Sequence, residues 1–224
     1  MTIKIDIISD TVCPWCYVGK RRLEKALAER PDMAVEIAWR PFQLNPDMPP
    51  EGMDRDDYMD NKFGNRARAD SIYRSVGEAG VAEGIDFKFA AMQRVPNTID
   101  SHRLLRWAAG AGAGVQDAVS EILFRRYFID GADIGDARVL AAAAGEAGMD
   151  AAIVGDLLAG DADREAVMGE DEAARRMGIS GVPCFIIEGK YAIMGAQQPS
   201  AYHAVLERAL AESAEATSAS LAHK

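Results

Sequence analysis

Residues 3–23 read IKIDIISDTVCPWCYVGKRRL, and this stretch changes from a strand pattern to a helix pattern at two cysteines. Isoleucine alternates with charged residues at its start, and a period of two with β-branched side chains predicts a strand. From Pro14 onward the apolar residues follow a helical period, and proline suits the first turn of a helix because its missing N–H would have no partner there. The stretch therefore predicts a strand followed by a helix, with Cys13 and Cys16 at the start of that helix.

A second strand is predicted shortly after this helix. Pro31-Asp32 interrupts the helical pattern, residues 35–39 read VEIAW, and Pro41 ends the run. Two strands joined by a helix are typical of a βαβ unit with a parallel sheet.

The strand pattern then disappears between Asn45 and about Asp171. Apolar residues recur at helical spacing instead, as in residues 115–123. Asn97 can cap one of these helices, with Asp100 at a favourable position in the first turn. We expect five to seven helices in this region.

Strand character returns near the end of the chain. Residues 182–187 and 191–194 are predicted as the two arms of a hairpin around Glu188-Gly189-Lys190, and a closing helix follows over residues 200–212. We therefore predict an α/β fold with four parts: a first half with the cysteine pair (1–48), an all-helical insertion (49–171), a second half with the hairpin and last helix (172–212), and a flexible tail (213–224).

Composition limits the classes of partner and compartment. The formal net charge of −10 argues against a phosphate-binding surface, so we expect no nucleic acid partner. No stretch approaches the ~20 apolar residues of a membrane span, so we expect no membrane partner. The first residues lack a basic segment, an apolar run and a small-residue cleavage site, which predicts a cytoplasmic protein. Three cysteines are too few for a disulfide-rich scaffold.

The pair in Cys13-Pro14-Trp15-Cys16 has the spacing that thiol–disulfide exchange requires. The reactive form is the thiolate, and a position at a helix N-terminus can lower a cysteine pKa to roughly 3.5–7.5. Cys16 follows nearly one turn later, within bridging reach, so it can resolve a mixed disulfide formed at Cys13. The pattern favours redox chemistry.

Two other interpretations of the pair are weaker. Structural zinc needs four ligands, and the chain offers only Cys184, His102, His203 and His223 beyond the pair, so we expect no metal site. Two buried structural cysteines would not explain why both lie at a strand-to-helix junction with Pro-Trp between them.

Val182-Pro183 is the second informative feature, because a proline at the start of a strand is permitted only at special positions. Considered alone, it is most simply an ordinary trans edge-strand proline. Its place before a hairpin and helix, in a chain that also carries the cysteine pair, weakens that interpretation.

Together these residues resemble a known family. The first strand, Cys13-Pro14-Trp15-Cys16-Tyr17, the helical insertion, Gly181-Val182-Pro183 and the final hairpin with its helix are similar to the DsbA-like thioredoxin superfamily, and most of all to its FrnE-type cytoplasmic branch. The resemblance covers roughly residues 3–210. It implies a thioredoxin fold with a large all-helical insertion.

The resemblance also implies residue roles. Cys13 would be the exposed nucleophile, Cys16 the buried resolving thiol, and Pro183 a cis-proline facing the pair. Val182 would offer backbone hydrogen bonds to a substrate. Four further residues are expected near the pair as candidates for substrate binding: Pro14, Trp15, Asn97 and His102.

Several remaining residues have a simpler interpretation beside a functional one. Cys184 is expected to be a small buried hydrophobe at a strand start, and the alternative is a third exchanging thiol. Trp15, Tyr17 and Trp39 could line a groove, although aromatic residues on such elements more often belong to the core. Either Asp6 or Asp10 could assist proton transfer to Cys16.

The predicted function is thiol–disulfide oxidoreductase, with a disulfide or dithiol substrate, no bound cofactor, glutathione or another thiol as co-substrate, and a possible homodimer. Two alternatives remain. One is a glutathione-dependent isomerase or transferase similar to 2-hydroxychromene-2-carboxylate isomerase, a branch that typically carries serine at the Cys13 position. The other is a redox-inactive, chaperone-like binding protein.

Overall fold

The predicted strand–helix–strand unit is present in the computed structural model, which describes residues 2–64 and 66–222. Strand β1 (Thr2–Ser9), helix α1 (Pro14–Ala28) and strand β2 (Ala34–Pro41) follow one another. The two strands are parallel, with Thr2 opposite Ala34 and Ser9 opposite Pro41. The βαβ prediction is confirmed.

The insertion contains seven α-helices within the described ranges, in agreement with the predicted number. Its elements are β3 (Met53–Asp54), α2 (Arg55–Phe63), α3 (Arg66–Ala82), the 3-10 helix Phe89–Ala91, β4 (Arg94–Val95), α4 (Ile99–Ala109), α5 (Val115–Phe128), α6 (Ala137–Glu146), α7 (Ala151–Ala159) and α8 (Arg164–Arg176). The expectation of an all-helical insertion is wrong in one detail, because β3 pairs antiparallel with β4. Strands of two residues are too short to show an alternating pattern in the sequence.

Helix α4 begins close to the predicted cap. Asn97 Oδ1 accepts a hydrogen bond from the Ile99 N–H at 3.0 Å, while Thr98 occupies the N-cap position. Asp100 lies in the first turn, where a negative charge is favourable.

The hairpin and the last helix complete the sheet. Strands β5 (Cys184–Ile187) and β6 (Tyr191–Met194) are antiparallel, and the sheet order is β2-β1-β5-β6. Helix α9 (Pro199–Ala222) continues beyond the predicted end at residue 212, so most of the tail expected to be flexible is helical here. Alanine and glutamate favour helix, which explains the longer element. Residues 223–224 lie outside the described residues.

The division into four parts stays a prediction. Its boundary at residue 171 falls inside α8, so a division that follows the elements would be placed after Arg176. Within the described residues, no helix is both long and apolar enough to cross a membrane.

The main core joins the sheet, α1 and α9 with the buried faces of helices α4 to α7. Ile3, Ile5 and Ile7 of β1 are at most 1% exposed, and α9 packs against both α1 and the central strands. Burying an isoleucine side chain contributes about 1.5–3 kcal/mol, so each of these three residues stabilises the core. Phe185 of β5 meets Tyr202 of α9 edge-on at 5.0 Å between ring centroids.

Gly19 allows α1 to approach the strand β5. A Cβ atom at this position would lie 3.0 Å from both Phe185 Cζ and Pro183 Cγ. We expect Gly19→Val to lower the free energy of unfolding by about 1–3 kcal/mol, because the added carbons overpack this contact.

Gly155→Ala in α7 is the control, since an added Cβ there meets nothing within 4 Å. It should raise the free energy of unfolding by about 0.5–1 kcal/mol through helix propensity. Urea denaturation measures both variants, and a Gly19→Val protein as stable as the wild type would contradict the packing argument.

Candidate active site

The first turn of α1 brings the two cysteines together. Cys13 occupies the N-cap position, and Pro14 begins the helix, as the sequence predicts. The Cys13 N–H donates to Asp10 O at 3.0 Å, and the Cys16 N–H donates to Cys13 O at 3.0 Å. Both thiols are free and lie where unpaired backbone N–H groups favour negative charge.

Both cysteines are buried. Cys16 is 1% exposed, as expected, but Cys13 is only 4% exposed, so the expectation of an exposed nucleophile is wrong. The segment before β5 explains this burial, since Cys13 Sγ lies 3.7 Å from Val182 O. Tyr58 and Lys62 of α2 are also close enough for the charge of Cys13 to act on their pKa values.

The Val182–Pro183 peptide bond is cis. Pro183 O accepts a hydrogen bond from the Gly195 N–H at 2.7 Å, which fixes this segment against the end of β6. The same segment places Val182 O 3.7 Å from Cys13 Sγ. The roles of Val182 and Pro183 in substrate binding and catalysis stay predictions.

Burial raises the pKa of the Cys16 thiol well above its ordinary value. A hydrogen bond and the negative charge of Cys13 act in the same direction, while a backbone hydrogen bond with Asp10 acts against them. Cys16 is therefore a protonated thiol at neutral pH, and it must lose its proton before it can attack a mixed disulfide.

One of the two candidate carboxylates lies at this site. Asp10 is 1% exposed, and its Oδ2 accepts a hydrogen bond from the Leu44 N–H at 2.7 Å. Asp6 instead accepts a hydrogen bond from Arg40 Nε at 2.7 Å, on β2. Asp10 is thus the carboxylate whose charge acts on Cys16.

His102 and Asn97, both predicted to bind substrate, occupy framework positions. His102 is 2% exposed, with Nε2 at 3.6 Å from Asp10 Oδ1. Asn97 Nδ2 donates to Met48 O at 2.7 Å and so ties α4 to the loop after β2. Contact of either residue with a substrate stays a prediction.

The aromatic residues near the pair divide into two groups. Tyr17 is 2% exposed and stacks on Phe124 at 5.1 Å between ring centroids, and Trp39 is 3% exposed. Both belong to the core, which agrees with the simpler interpretation of these residues. Trp15, between the cysteines, is half-buried.

Sequence reasoning missed a polar group on α2. Lys62 Nζ donates to Asn45 Oδ1 at 2.9 Å and to Tyr58 Oη, and Tyr58 Oη donates to Asn45 Oδ1 at 3.1 Å. The three residues line a groove of about 340 Å³ that also includes Met48 and Met53. The spacing of Tyr58 and Lys62 places them on one helix face, but no local pattern connects that face to Cys13.

The groups whose negative charges act on the pKa of Lys62 belong to the cysteine site. Although Lys62 is exposed, partial desolvation of its ammonium group lowers its pKa, and Asp10 and Cys13 act to raise it. Among the described residues Lys62 forms no ion pair with a carboxylate. It therefore places a positive charge on the Cys13 side of the molecule.

Cys184 is a buried residue at the start of β5, as expected. It is 1% exposed, lies opposite Ile8 and packs with Phe42 and Ala174. Burial raises the pKa of its thiol. Its exchange with the active-site pair stays untested.

Across residues 2–64 and 66–222, no three His, Cys, Asp or Glu side chains come together as a metal site, and His223 lies outside these ranges.

Comparisons with known proteins agree with this fold. The family model described as DSBA-like thioredoxin domain matches residues 4–207. The crystal structure of a probable DsbA oxidoreductase from Streptomyces coelicolor is 32% identical, with a TM-score of 0.84, and the match covers 94% of this chain and 91% of that one.

Two more distant structures share the fold. A 2-hydroxychromene-2-carboxylate isomerase is 16% identical over 95% of this chain and 98% of its own, with a TM-score of 0.70. The cytosolic disulfide reductase DsbM from Pseudomonas aeruginosa, solved with GSH, is 19% identical over 92% of this chain and 98% of its own, with a TM-score of 0.61.

The raised pKa of Cys16 predicts an order of thiol reactivity that mass spectrometry can follow. With iodoacetamide, Cys16 should remain unmodified at pH 8, because burial keeps it a thiol. Cys13→Ala removes a hydrogen bond and a charge that raise the pKa of Cys16, so Cys16 should react faster in that variant.

Cys184 is the internal control, since its pKa is raised by burial alone and its reactivity should be the same in both proteins. Equal alkylation rates of Cys16 with and without Cys13 would show that the two thiols do not interact.

Proposed function

Because the chain belongs to the family of DSBA-like thioredoxin domains, we propose that it is a thiol–disulfide oxidoreductase that works through Cys13 and Cys16. The observation that carries the proposal is the pair of free thiols at the start of α1, with Val182 O at 3.7 Å from Cys13 Sγ. Solved structures with this fold include a probable DsbA oxidoreductase and an isomerase, and a dithiol is the group that disulfide exchange needs.

The proposed reaction has two exchange steps. The Cys13 thiolate attacks a substrate disulfide, so a bond forms between Cys13 Sγ and one substrate sulfur while the other substrate sulfur leaves as a thiolate. Cys16 then loses its proton and attacks Cys13 Sγ, which forms the Cys13–Cys16 disulfide and releases the second substrate thiolate. The substrate gains two electrons, and the pair loses two.

The same steps run in reverse to oxidise a dithiol, and the redox potential of the pair determines the direction. If the reduction potential of the pair were roughly −120 mV, a cytosolic glutathione pool near −250 mV would favour the reduced form of the pair by about 6 kcal/mol. In the cytoplasmic location that we propose, reduction or isomerisation of disulfides is therefore the favoured direction.

Insulin reduction tests the exchange proposal. The wild-type protein with a thiol donor should reduce insulin disulfides, and Cys13→Ser should abolish this activity because it removes the attacking sulfur. Cys16→Ser should stop after the first step and accumulate a mixed disulfide at Cys13, visible by mass spectrometry.

Cys184→Ser is the matched control, and it should keep the activity. If the double variant Cys13→Ser/Cys16→Ser reduced insulin as well as the wild type, the proposal would be wrong. If neither the wild type nor any variant reduced insulin, and all of these proteins only slowed its aggregation, the chain would be a binding protein.

We further propose glutathione as the thiol co-substrate. Lys62 is a cation without a carboxylate partner among the described residues, held by Asn45 and Tyr58 on the Cys13 side of a groove. Glutathione carries two carboxylates beside its thiol, and an ammonium group attracts one of them as the sulfur approaches Cys13. The fold is shared with a disulfide reductase solved with GSH, which supports the same choice.

Lys62→Gln should raise the KM for glutathione about fivefold, the equivalent of ~1 kcal/mol, because it removes an exposed charge interaction. The KM for dithiothreitol, which has no carboxylate, should not change. Lys4→Gln on β1 is the control for loss of a surface charge. An equal rise in both KM values would mean that Lys62 supports the site without recognising an anion.

A further inference from the structure

Strand β2 lies at one edge of the four-stranded sheet, since the strand order is β2-β1-β5-β6. Even-numbered positions turn their backbone groups toward β1, as the bond from the Phe42 N–H to Ser9 O at 3.0 Å directly after β2 indicates. Backbone groups alternate in direction along a strand, so Val35, Ile37 and Trp39 turn theirs away from the sheet.

One of these three outward-facing residues is already paired. Gln116 of α5 is buried, its Oε1 accepts from the Trp39 N–H at 2.9 Å, and its Nε2 donates to Trp39 O at 3.1 Å. The carboxamide thus takes the place of a neighbouring strand at this point. The outward N–H and C=O groups of Val35 and Ile37 have no partner among the residues that the structure describes. An open strand edge of this kind can pair with another extended chain.

The open part of the edge borders a cavity of about 570 Å³. The cavity is also lined by the turn between α4 and α5, where residues 112–114 read Gly-Ala-Gly and carry little side chain. Residues 35–38 extend for about 10 Å, so the cavity takes about four residues of an added strand. A cavity bounded by a strand edge and a turn suits a single extended segment, whereas β2 of a second copy would bring a whole sheet beside it.

The two faces of the open edge differ in polarity. Val35 and Ile37 are half-buried and pack against the main core, so an added strand would be apolar on the face beside them. Glu36 between them is exposed, so the same strand would be polar on its other face. An occupant of this edge therefore alternates apolar and polar side chains.

The charge of the cavity is negative. Glu36 and Asp117 line it, and among the described lining residues there is no lysine, arginine or histidine. Asp117 lies 3.1 Å from Lys20, whereas Glu36 lies opposite Lys4 of β1 and forms no ion pair within the described part of the chain. Glu36 is thus the free carboxylate, and opposite charges on neighbouring strands attract each other.

We propose that the open edge of β2 binds an extended segment of a partner polypeptide in which apolar residues alternate with lysine or arginine. The segment pairs with the N–H and C=O groups of Val35 and Ile37 and places a basic side chain beside Glu36. It ends before Trp39, where Gln116 occupies the edge. This binding uses neither thiol, so it is independent of the proposed exchange reaction.

The synthetic peptide Val-Lys-Val-Lys-Val, capped at both ends, tests the pairing in the full chain. At a peptide concentration that fills nine-tenths of the sites, amide hydrogen exchange at Val35 and Ile37 should slow about tenfold, because both N–H groups gain an acceptor. NMR follows each amide separately. The Trp39 N–H, which Gln116 already holds, is the internal control and should not change.

Two altered peptides separate backbone pairing from charge. A peptide that is N-methylated at the residues facing β2 cannot donate to the edge, so it should leave exchange at Val35 and Ile37 unchanged. Replacing both lysines of the peptide by glutamate should weaken binding about fivefold, and so should Glu36→Lys with the original peptide. Glu78→Lys on α3 is the matched control, since it makes the same change of charge at another exposed position.

Several results would overturn the proposal. These are unchanged exchange at Val35 and Ile37 with the original peptide, equal protection by the N-methylated peptide, and equal affinity for the lysine and glutamate peptides. Protection of both amides without peptide, rising with protein concentration together with a dimer mass in light scattering, would assign the edge to a second copy instead.

Discussion

The antiparallel pairing of β1 with β5 determines how the chain is arranged around the two thiols. Ile8, near the end of β1, lies opposite Cys184, the first residue of β5. The segment after β1 and the segment before β5 therefore meet at the same edge of the sheet, although they are far apart in the sequence. That register places Val182 O 3.7 Å from Cys13 Sγ, and Gly19 of α1 keeps the approach open.

The insertion completes the site from outside the sheet. Helix α2 brings Tyr58 and Lys62 close enough to Cys13 for its charge to act on their pKa values, and α4 brings His102 Nε2 to 3.6 Å from Asp10 Oδ1. The groups around the pair thus include the ammonium of Lys62 and the carboxylate of Asp10. Burial also keeps Cys16 protonated, because desolvation raises the pKa of its thiol.

Local patterns predicted those parts of the fold that depend on neighbouring residues. The alternation in β1, the proline at the start of α1 and the Glu188-Gly189 turn each fix an element within a few residues, and all are present. The pairing of β3 with β4, the burial of Cys13 and the position of Lys62 depend on contacts between distant segments. Periodicity contains no such information, so these features were missed or predicted wrongly.

The candidate site also combines features that local patterns predict with features that depend on contacts between distant segments. Cys13 and Cys16 could be proposed from the sequence because their chemistry depends on spacing along one helix, whereas the Asp10–His102 contact joins a loop to α4. The most direct test of the central claim is equilibration in a series of glutathione redox buffers with mass mapping of the trapped thiols. We expect one reversible two-electron transition that links Cys13 to Cys16 and leaves Cys184 free at every potential. A protein that stays fully reduced across the series, or whose linkage includes Cys184, would contradict this account.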